Sequence, residues 1–184
     1  MMENRRIIIM SLQTGTKFEI YIEQLFRDCG FDDVERNLLY IKYGWFRKRK
    51  AAQVDIQVGK KGIVSIPLIY ELKYSSNGNI TLSENPVDQL LRAVKITGYR
   101  PGGIITNKGY SEGLRNYARA RKVKLYDSSY LAKLEKKRRS LDGHGILCIS
   151  FAGKDLEQRI GIVEKEISGI NPRQYANKSR TIYL

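Results

Sequence analysis

Two carboxylates and one lysine are the residues of this chain best suited to chemistry. Glu71 and Lys73 stand two positions apart in an apolar, β-favouring stretch, so their side chains project from the same face of a predicted strand. Asp55 lies in the predicted strand before it and can add a second carboxylate to that face. Two carboxylates suit Mg²⁺, and a lysine beside them can orient or deprotonate a water molecule, or neutralise charge on a phosphate. The set predicts metal-assisted hydrolysis of a phosphodiester.

This prediction depends on how the two strands pair, because a shift of one residue moves a side chain to the other face of a sheet. If strands 53–58 and 66–73 are joined by the whole segment between them, Asp55 faces about position 69, with the same parity as Glu71. A tight two-residue turn would place Asp55 on the other face. We therefore expect the looser loop or a bulge. The alternative is a solvated strand face that carries an ordinary ion pair.

Apolar spacing and turn residues divide the first half of the chain into one helix and three strands. Apolar side chains recur at helical spacing before Gly30, a natural helix end, and β-favouring or alternating residues mark the strands. The predicted elements are a helix over Thr16–Cys29, a strand over Val34–Lys42, a basic loop over Gly44–Gln53, a strand over Val54–Val58, a turn over Gly59–Gly62 and a strand over Ile66–Tyr74.

In the second half, helices alternate with short strands. The predicted elements are a helix from Pro86 to Gly98, a strand over Gly103–Thr106, a helix capped by Ser111 that runs to about Arg121, a strand over Val123–Tyr126 and a helix from Ser128 or Ser129 to about Arg139. Helices that alternate with strands after three consecutive strands predict an α/β fold, with a mixed central sheet flanked by helices.

Residues 141–184 give a weaker pattern. Gly145–Phe151 is compatible with a strand, and apolar residues at helical spacing predict a helix around residues 156–167. The tail from Asn171 carries Arg and Lys residues and no acid. We expect one domain over residues 1–140 and a C-terminal appendage over 141–184 that packs on it and contacts nucleic acid or a second subunit.

Composition narrows the partners and excludes several classes of site. The chain has 184 residues, with 33 Lys and Arg against 19 Asp and Glu, so its net charge of +14 predicts a polyanionic partner. A single histidine, His144, excludes a His-rich zinc site, and two distant cysteines, Cys29 and Cys148, exclude a CxxC site and suit the reducing cytoplasm. The early apolar run Ile7–Met10 is too short for a membrane span, so we expect no membrane partner.

Asp55, followed sixteen positions later by Glu71-Leu72-Lys73, resembles the signature of the PD-(D/E)xK nucleases, with Val54 in place of the proline. The surrounding segments follow in the order of that family: Gly15-Thr-Lys-Phe-Glu19, Gly30-Phe31, Val87-Asp-Gln89, Gly103-Ile-Ile-Thr106, Tyr110-Ser111 and Val123-Lys-Leu-Tyr-Asp127. Over roughly residues 13–134 the chain is similar to the Mrr-like restriction endonucleases and, second, to archaeal Holliday-junction resolvases. Many Mrr-like members carry Gln where Glu71 stands, so this glutamate is closer to the resolvase type.

The resemblance implies a restriction-endonuclease-like fold, a homodimer and a Mg²⁺ site in which Mn²⁺ can substitute. It assigns metal binding to Asp55, Glu71 and the Leu72 carbonyl, and activation of the attacking water to Lys73. Two further catalytic candidates follow from it, and each has an alternative. Glu19 matches an acid of the first helix that completes the metal shell, but it can also form a capping box with Thr16. Gln89 matches a helix glutamine near the active site, but it can also be an ordinary solvated residue.

A basic segment precedes the Asp55 strand and predicts contacts with DNA. It contains the cations Lys42, Arg47, Lys48, Arg49 and Lys50, interleaved with Trp45 and other aromatic residues and with no acid. Cations bind phosphates and aromatic rings stack on bases. The alternative is a solvated hairpin tip with Trp45 packed beneath it. Ser75 matches a small hydroxyl residue of the resolvases, or it is a turn former in the sequence around Asn77.

These patterns together predict a Mg²⁺-dependent DNA endonuclease of the Mrr-like type. Two alternatives stay open: a Holliday-junction resolvase, and a nucleic-acid-binding module that keeps the scaffold without catalysis. The first differs in its preference for branched over linear duplex. The second predicts salt-sensitive binding without metal-dependent cleavage.

Overall fold

The computed structural model describes residues 3–31, 33–44, 49–59, 66–141, 156–175 and 180–184. Its helices are α1 (Glu3–Asp28), α2 (Pro86–Thr97), α3 (Glu112–Ala120), α4 (Ser128–Leu141) and α5 (Leu156–Gly169). Its strands are β1 (Val34–Tyr43), β2 (Arg49–Val58), β3 (Leu68–Lys73), β4 (Arg100–Thr106), β5 (Leu125–Tyr126) and β6 (Arg180–Tyr183). The predicted strand over Gly145–Phe151 and three predicted DNA contacts, Trp45, Arg47 and Lys48, lie outside the described residues.

The described strands form one mixed sheet in the order β5-β4-β3-β2-β1-β6. Strands β1, β2 and β3 are antiparallel neighbours, whereas β3, β4 and β5 run parallel to one another. The last strand, β6, pairs in parallel with β1. This arrangement confirms the predicted α/β class with a mixed central sheet flanked by helices.

Helix α1 begins at Glu3, well before the predicted start at Thr16. A single glycine inside a helix, here Gly15, costs about 1 kcal/mol, which does not stop a helix whose next turns are buried. Phe18 and Leu25 are almost completely buried, and Gly30, with a φ of 84°, follows the helix end as predicted. Because Thr16 lies inside the helix, it is not an N-cap, and the capping-box explanation of Glu19 was wrong.

Strand β2 is longer than predicted, because Arg49 to Gln53 belong to it and not to a loop. The β1–β2 ladder pairs Lys42 with Lys50 and Tyr43 with Arg49, so backbone hydrogen bonds carry the hairpin beyond its apolar part. The alternation of polar and apolar residues stops at Gln53, and for that reason the sequence suggested a strand that begins only at Val54.

The pairing of β2 with β3 differs from the predicted register by two residues. The ladder ends with the pair of Ile56 and Tyr70, and Gln57 pairs with Ile69. Asp55 and Glu71 are the next residues on the two strands, so Asp55 is not opposite residue 69. The difference is an even number of residues, so the side-chain parity that the prediction required is kept.

Helices cover both faces of the sheet. One core packs α2 and α3 on residues such as Ile69 and Ile104, and a second packs α1, α4 and α5 on residues such as Tyr70 and Ile105. Successive strand residues point to opposite faces, which places these cores on the two sides of the sheet. Within the described residues no helix is both long and apolar enough to cross a membrane.

Candidate active site

Two carboxylates meet where β2 and β3 pair. Asp55 and Glu71 occupy neighbouring positions on the two strands, and the backbone N–H of Leu72 donates a hydrogen bond of 2.8 Å to Asp55 Oδ2. One oxygen of Asp55 is therefore fixed by the strand that carries the second carboxylate. Glu71 is itself buried, with 8% of its surface exposed.

The β1–β2 ladder is interrupted beside Asp55. Residues on either side of Asn37 and Asp55 pair across the two strands, but these two residues form no ladder pair. Asn37 has a φ of 53°, and its side-chain oxygen accepts a hydrogen bond of 3.2 Å from Gln53 Nε2. The register is the same on both sides, so no extra residue is inserted and only the pair beside Asp55 is missing.

Lys73 joins this pair from the same face of β3. Its Nζ lies 2.9 Å from Glu71 Oε1 and donates a hydrogen bond of 2.7 Å to Gln89 Oε1 on α2. The lysine ammonium is therefore held between a carboxylate and an amide oxygen. Gln89 itself is exposed to solvent, but its amide oxygen contacts Lys73 at the predicted site.

Glu19 lies on the third side of the site, on the buried part of α1. Its Oε2 is 3.9 Å from Arg36 Nη1, and Arg36 is in turn held by Glu23 through a contact of 2.9 Å between Nε and Oε2. The Glu19 side chain is 21% exposed. It therefore belongs to a partly buried charge network and not to a helix terminus.

The pKa values of all three acids are raised. Burial raises the pKa of Glu71 to about 7, and the nearby Asp55 adds to this, whereas Lys73 opposes it. Burial also raises the pKa of Glu19 to about 7, with Asp55 adding to the rise and Arg36 opposing it. The pKa of Asp55 is raised by burial as well, against the Leu72 amide and Lys73. A cation placed among these groups would stabilise their charged forms.

The three acids, Lys73 and Gln89 line one cleft of about 430 Å³. It is lined by Glu19, Ala51, Ala52, Gln53, Asp55, Glu71, Leu72, Lys73, Gln89 and Arg92. Arg92 was not among the residues predicted from the sequence. The signal was present, because Arg92 follows Gln89 by three positions and therefore shares its side of α2. Arg92 is exposed and adds a cation to the wall that faces the carboxylates.

The donor set consists of oxygen ligands, which suit Mg²⁺ or Mn²⁺ better than zinc or copper. The described residues contain no group of three or more His, Cys, Asp or Glu side chains arranged to enclose a metal ion. Mg²⁺ does not require one, since it usually keeps several waters and binds through one or two carboxylates together with substrate phosphate. Asp55 and Glu71 offer oxygen ligands of that kind in a polar cleft that is open to solvent.

The predicted DNA contacts fall into two groups. Lys42, Arg49 and Lys50 are exposed on the β1–β2 hairpin, and the ladder sets Lys42 directly opposite Lys50. Like charges directly opposite each other destabilise a sheet, which favours a polyanion as the partner of this surface. The Ser75 hydroxyl instead donates a hydrogen bond of 2.8 Å to the Asn77 carbonyl, as in a turn.

Comparison with known proteins adds two findings. The sequence model of the Mrr catalytic-domain family, described as restriction endonuclease, matches residues 11–134, which is more than half of the chain. A solved structure described as a protein of unknown function, AF1548, aligns with a TM-score of 0.51 at 16% identity and covers 84% of this chain and 99% of the other. No curated protein matches the chain. The structural likeness shows the fold alone.

Proposed function

This chain belongs to the restriction endonuclease family of the Mrr type, and we propose that it is a Mg²⁺-dependent DNA endonuclease. One observation carries the proposal: Asp55, Glu71 and Lys73 converge from two adjacent strands in a polar cleft, with the lysine Nζ 2.9 Å from Glu71. A nucleic-acid-binding surface has no evident use for clustered, partly buried acids.

The side chains of the cleft have different roles in hydrolysis. Asp55 and Glu71 would hold the metal, with the Leu72 carbonyl and Glu19 as further ligands. When bound, the ion supplies a Lewis acid for the phosphate and a water of lowered pKa. Lys73 would orient the attacking water and neutralise charge that develops on the phosphate. Gln89 accepts a hydrogen bond from Lys73 and so keeps the ammonium in place.

The basic hairpin positions the DNA. Lys42, Arg49 and Lys50 bind backbone phosphates, and we assign the same role to Arg47 and Lys48 and base stacking to Trp45. Arg92 binds a phosphate at the mouth of the cleft, and Ser75 contacts DNA only where its hydroxyl leaves the turn hydrogen bond with Asn77. A net charge of +14 draws DNA to this surface. Two copies with one site each can cut both strands in one encounter, so we propose a homodimer that acts in the cytoplasm.

A resolvase activity is the second candidate, and one residue favours it. Glu71 provides a carboxylate, as the resolvases do. Many Mrr-like members carry Gln at this position. Cleavage of a four-way junction, compared with linear and methylated duplexes of the same sequence, separates the two activities. Preference for the junction assigns the resolvase function.

The direct test is cleavage of a supercoiled plasmid with and without Mg²⁺, together with a binding assay. We expect Asp55→Ala and Lys73→Ala to abolish cleavage and to retain binding. Lys133→Ala, which removes an exposed cation of α4, is the matched control and should cut normally. Salt-sensitive binding without cleavage by the wild type in any divalent metal would assign a non-catalytic binding module instead.

A further inference from the structure

Helix α5 reaches the chain segment that directly follows Lys73, although this helix lies outside the residues matched by the nuclease family. Its contact is made by Glu164. The Tyr74 hydroxyl donates a hydrogen bond of 3.0 Å to Glu164 Oε2, and Asn107 Nδ2 donates one of 2.6 Å to Glu164 Oε1. One carboxylate therefore binds the ends of both central strands, β3 and β4.

Asn107 connects Glu164 with the backbone that follows Lys73. The Ser75 N–H donates a hydrogen bond of 2.8 Å to Asn107 Oδ1, and Asn107 Nδ2 donates one of 2.8 Å to the Ser75 carbonyl. The β3–β4 ladder ends with the pair of Lys73 and Thr106, so the Asn107 side chain continues the pairing past the ladder. Asn107 is completely buried. Its side-chain amide would destabilise the fold there if it lost its hydrogen-bond partners.

Glu164 is itself firmly placed. Lys108 Nζ lies 3.2 Å from Glu164 Oε1, and the Glu164 side chain is 27% exposed. Val163, next to it on α5, is completely buried in the core shared with α1. Tyr74 also packs its ring 5.9 Å from the ring of Phe18, one residue before Glu19. The carboxylate therefore stands where β3, β4, α1 and α5 meet.

We propose that Glu164 is a positioning residue: it orients Asn107 and Tyr74, which together hold the end of β3 and hence Lys73. Helix α5 is then part of the catalytic unit and not an accessory to it. The effect on catalysis rests on the proposed function. The claim that Glu164 holds the end of β3 does not. A displacement of about 1 Å at an active site can lower a rate about 100-fold, so a loose strand end matters.

The test uses the full chain and two readouts. In metal-free protein, hydrogen exchange of the Ser75 amide reports whether Asn107 still accepts its hydrogen bond. On DNA, the cleavage rate at saturating substrate and the KM are measured separately. Glu164→Ala removes both acceptors. Glu164→Gln keeps an oxygen that accepts from Asn107 Nδ2 and has an NH₂ group that can donate to the Tyr74 hydroxyl oxygen, but it loses the ion pair with Lys108. Lys165→Ala on the exposed side of α5 is the control. All are assayed well below their melting temperatures.

For Glu164→Ala we expect the Ser75 amide to exchange about tenfold faster or more and kcat to fall about 10- to 100-fold, with KM nearly unchanged. Glu164→Gln keeps the Ser75 exchange rate and kcat close to the wild-type values. Lys165→Ala changes neither the exchange rate nor kcat. Tyr74→Phe removes one donor without opening a cavity, so it shows a smaller change in the same direction even if Glu164→Ala does not fold. Unchanged Ser75 exchange in the folded variants overturns the proposal, and so does faster exchange with a normal kcat. A wild type that never cuts refutes the proposed function, while Ser75 exchange still decides the role of Glu164.

Discussion

The backbone N–H of Leu72 donates a hydrogen bond of 2.8 Å to Asp55 Oδ2, so the strand that carries Glu71 also fixes the orientation of Asp55. The relationship explains how two acids on different strands can act as one site. It also separates the charge of Asp55 from its structural contact, since an amide oxygen can accept the same hydrogen bond.

Asp55→Asn should therefore abolish activity without loss of the fold. The asparagine oxygen keeps the Leu72 hydrogen bond, and removal of a buried charge beside Glu71 leaves the melting temperature equal or higher. We expect the rate of Mg²⁺-dependent cleavage to fall at least about 100-fold, measured on plasmid DNA alongside thermal unfolding. Near-normal cleavage by a folded Asp55→Asn protein would show that the metal is held elsewhere.

Gln89→Ala should lower kcat about tenfold and leave the affinity for DNA nearly unchanged, because Lys73 loses one of the two groups that hold its ammonium. Gln89→Glu restores an oxygen acceptor at the same position and should recover part of the rate. Single-turnover cleavage and gel retardation provide the two measurements. A wild-type cleavage rate in Gln89→Ala would show that Gln89 is an ordinary surface residue without a role in catalysis.

The stability of the metal-free protein should fall as the pH rises from about 4.5 to about 7. Glu19 and Glu71 have pKa values near 7 in the folded protein against 4.5 for an unperturbed glutamate, so the folded state binds more protons throughout this window. Each unit of pKa difference corresponds to about 1.4 kcal/mol. Chemical denaturation at several pH values measures the slope.

The double variant Glu19→Gln/Glu71→Gln is the control for this pH dependence, because it keeps all other titrating groups. Its slope should be flatter than that of the wild type. Added Mg²⁺ should stabilise the wild type at pH 8 and not the double variant, since a ligand of the folded state raises its stability. Identical slopes in the two proteins would contradict the raised pKa values of these buried acids.

Lys42→Gln/Lys50→Gln should weaken DNA binding and at the same time stabilise the hairpin slightly. The two lysines face each other in the β1–β2 ladder, so their neutralisation removes a like-charge repulsion. The slope of log K against log salt should decrease by about 2, one for each lost phosphate contact. Lys133→Gln/Lys136→Gln on α4 has the same net charge and should leave binding close to wild type. Equal losses in the two double variants would point to bulk charge and not to a hairpin contact.

Much of the fold could be predicted because its elements carry strong local signals. Ser111 caps α3 by accepting a hydrogen bond from the Leu114 amide, and Gly98, with a φ of 73°, ends α2. The β6 strand and the start of α1 had no such signal. Arg180–Tyr183 forms a strand through its pairing with β1, and that partner is far away in the sequence.

For the site, the parity of Asp55, Glu71 and Lys73 could be predicted from strand geometry, and the family order pointed to Glu19 and Gln89. The hydrogen-bond partners of these residues could not be predicted, because they depend on contacts between elements that are far apart in the sequence. No local pattern connects Lys73 with Gln89 on α2, or Ser75 with Asn107 and Glu164. The ion pair of Arg36 with Glu23 likewise appears only when α1 packs on β1.

The central claim is that Asp55 and Glu71 together hold the divalent ion at which DNA is cut. The most direct measurement is single-turnover cleavage of protein-bound duplex as a function of Mg²⁺ concentration, for the wild type, Asp55→Asn, Glu71→Gln and Lys73→Ala. We expect a saturating Mg²⁺ dependence in the wild type, a midpoint at least about tenfold higher or no cleavage in the two carboxylate variants, and a lower maximum with an unchanged midpoint in Lys73→Ala. Cleavage without a divalent ion, or one midpoint shared by all four proteins, would contradict the claim.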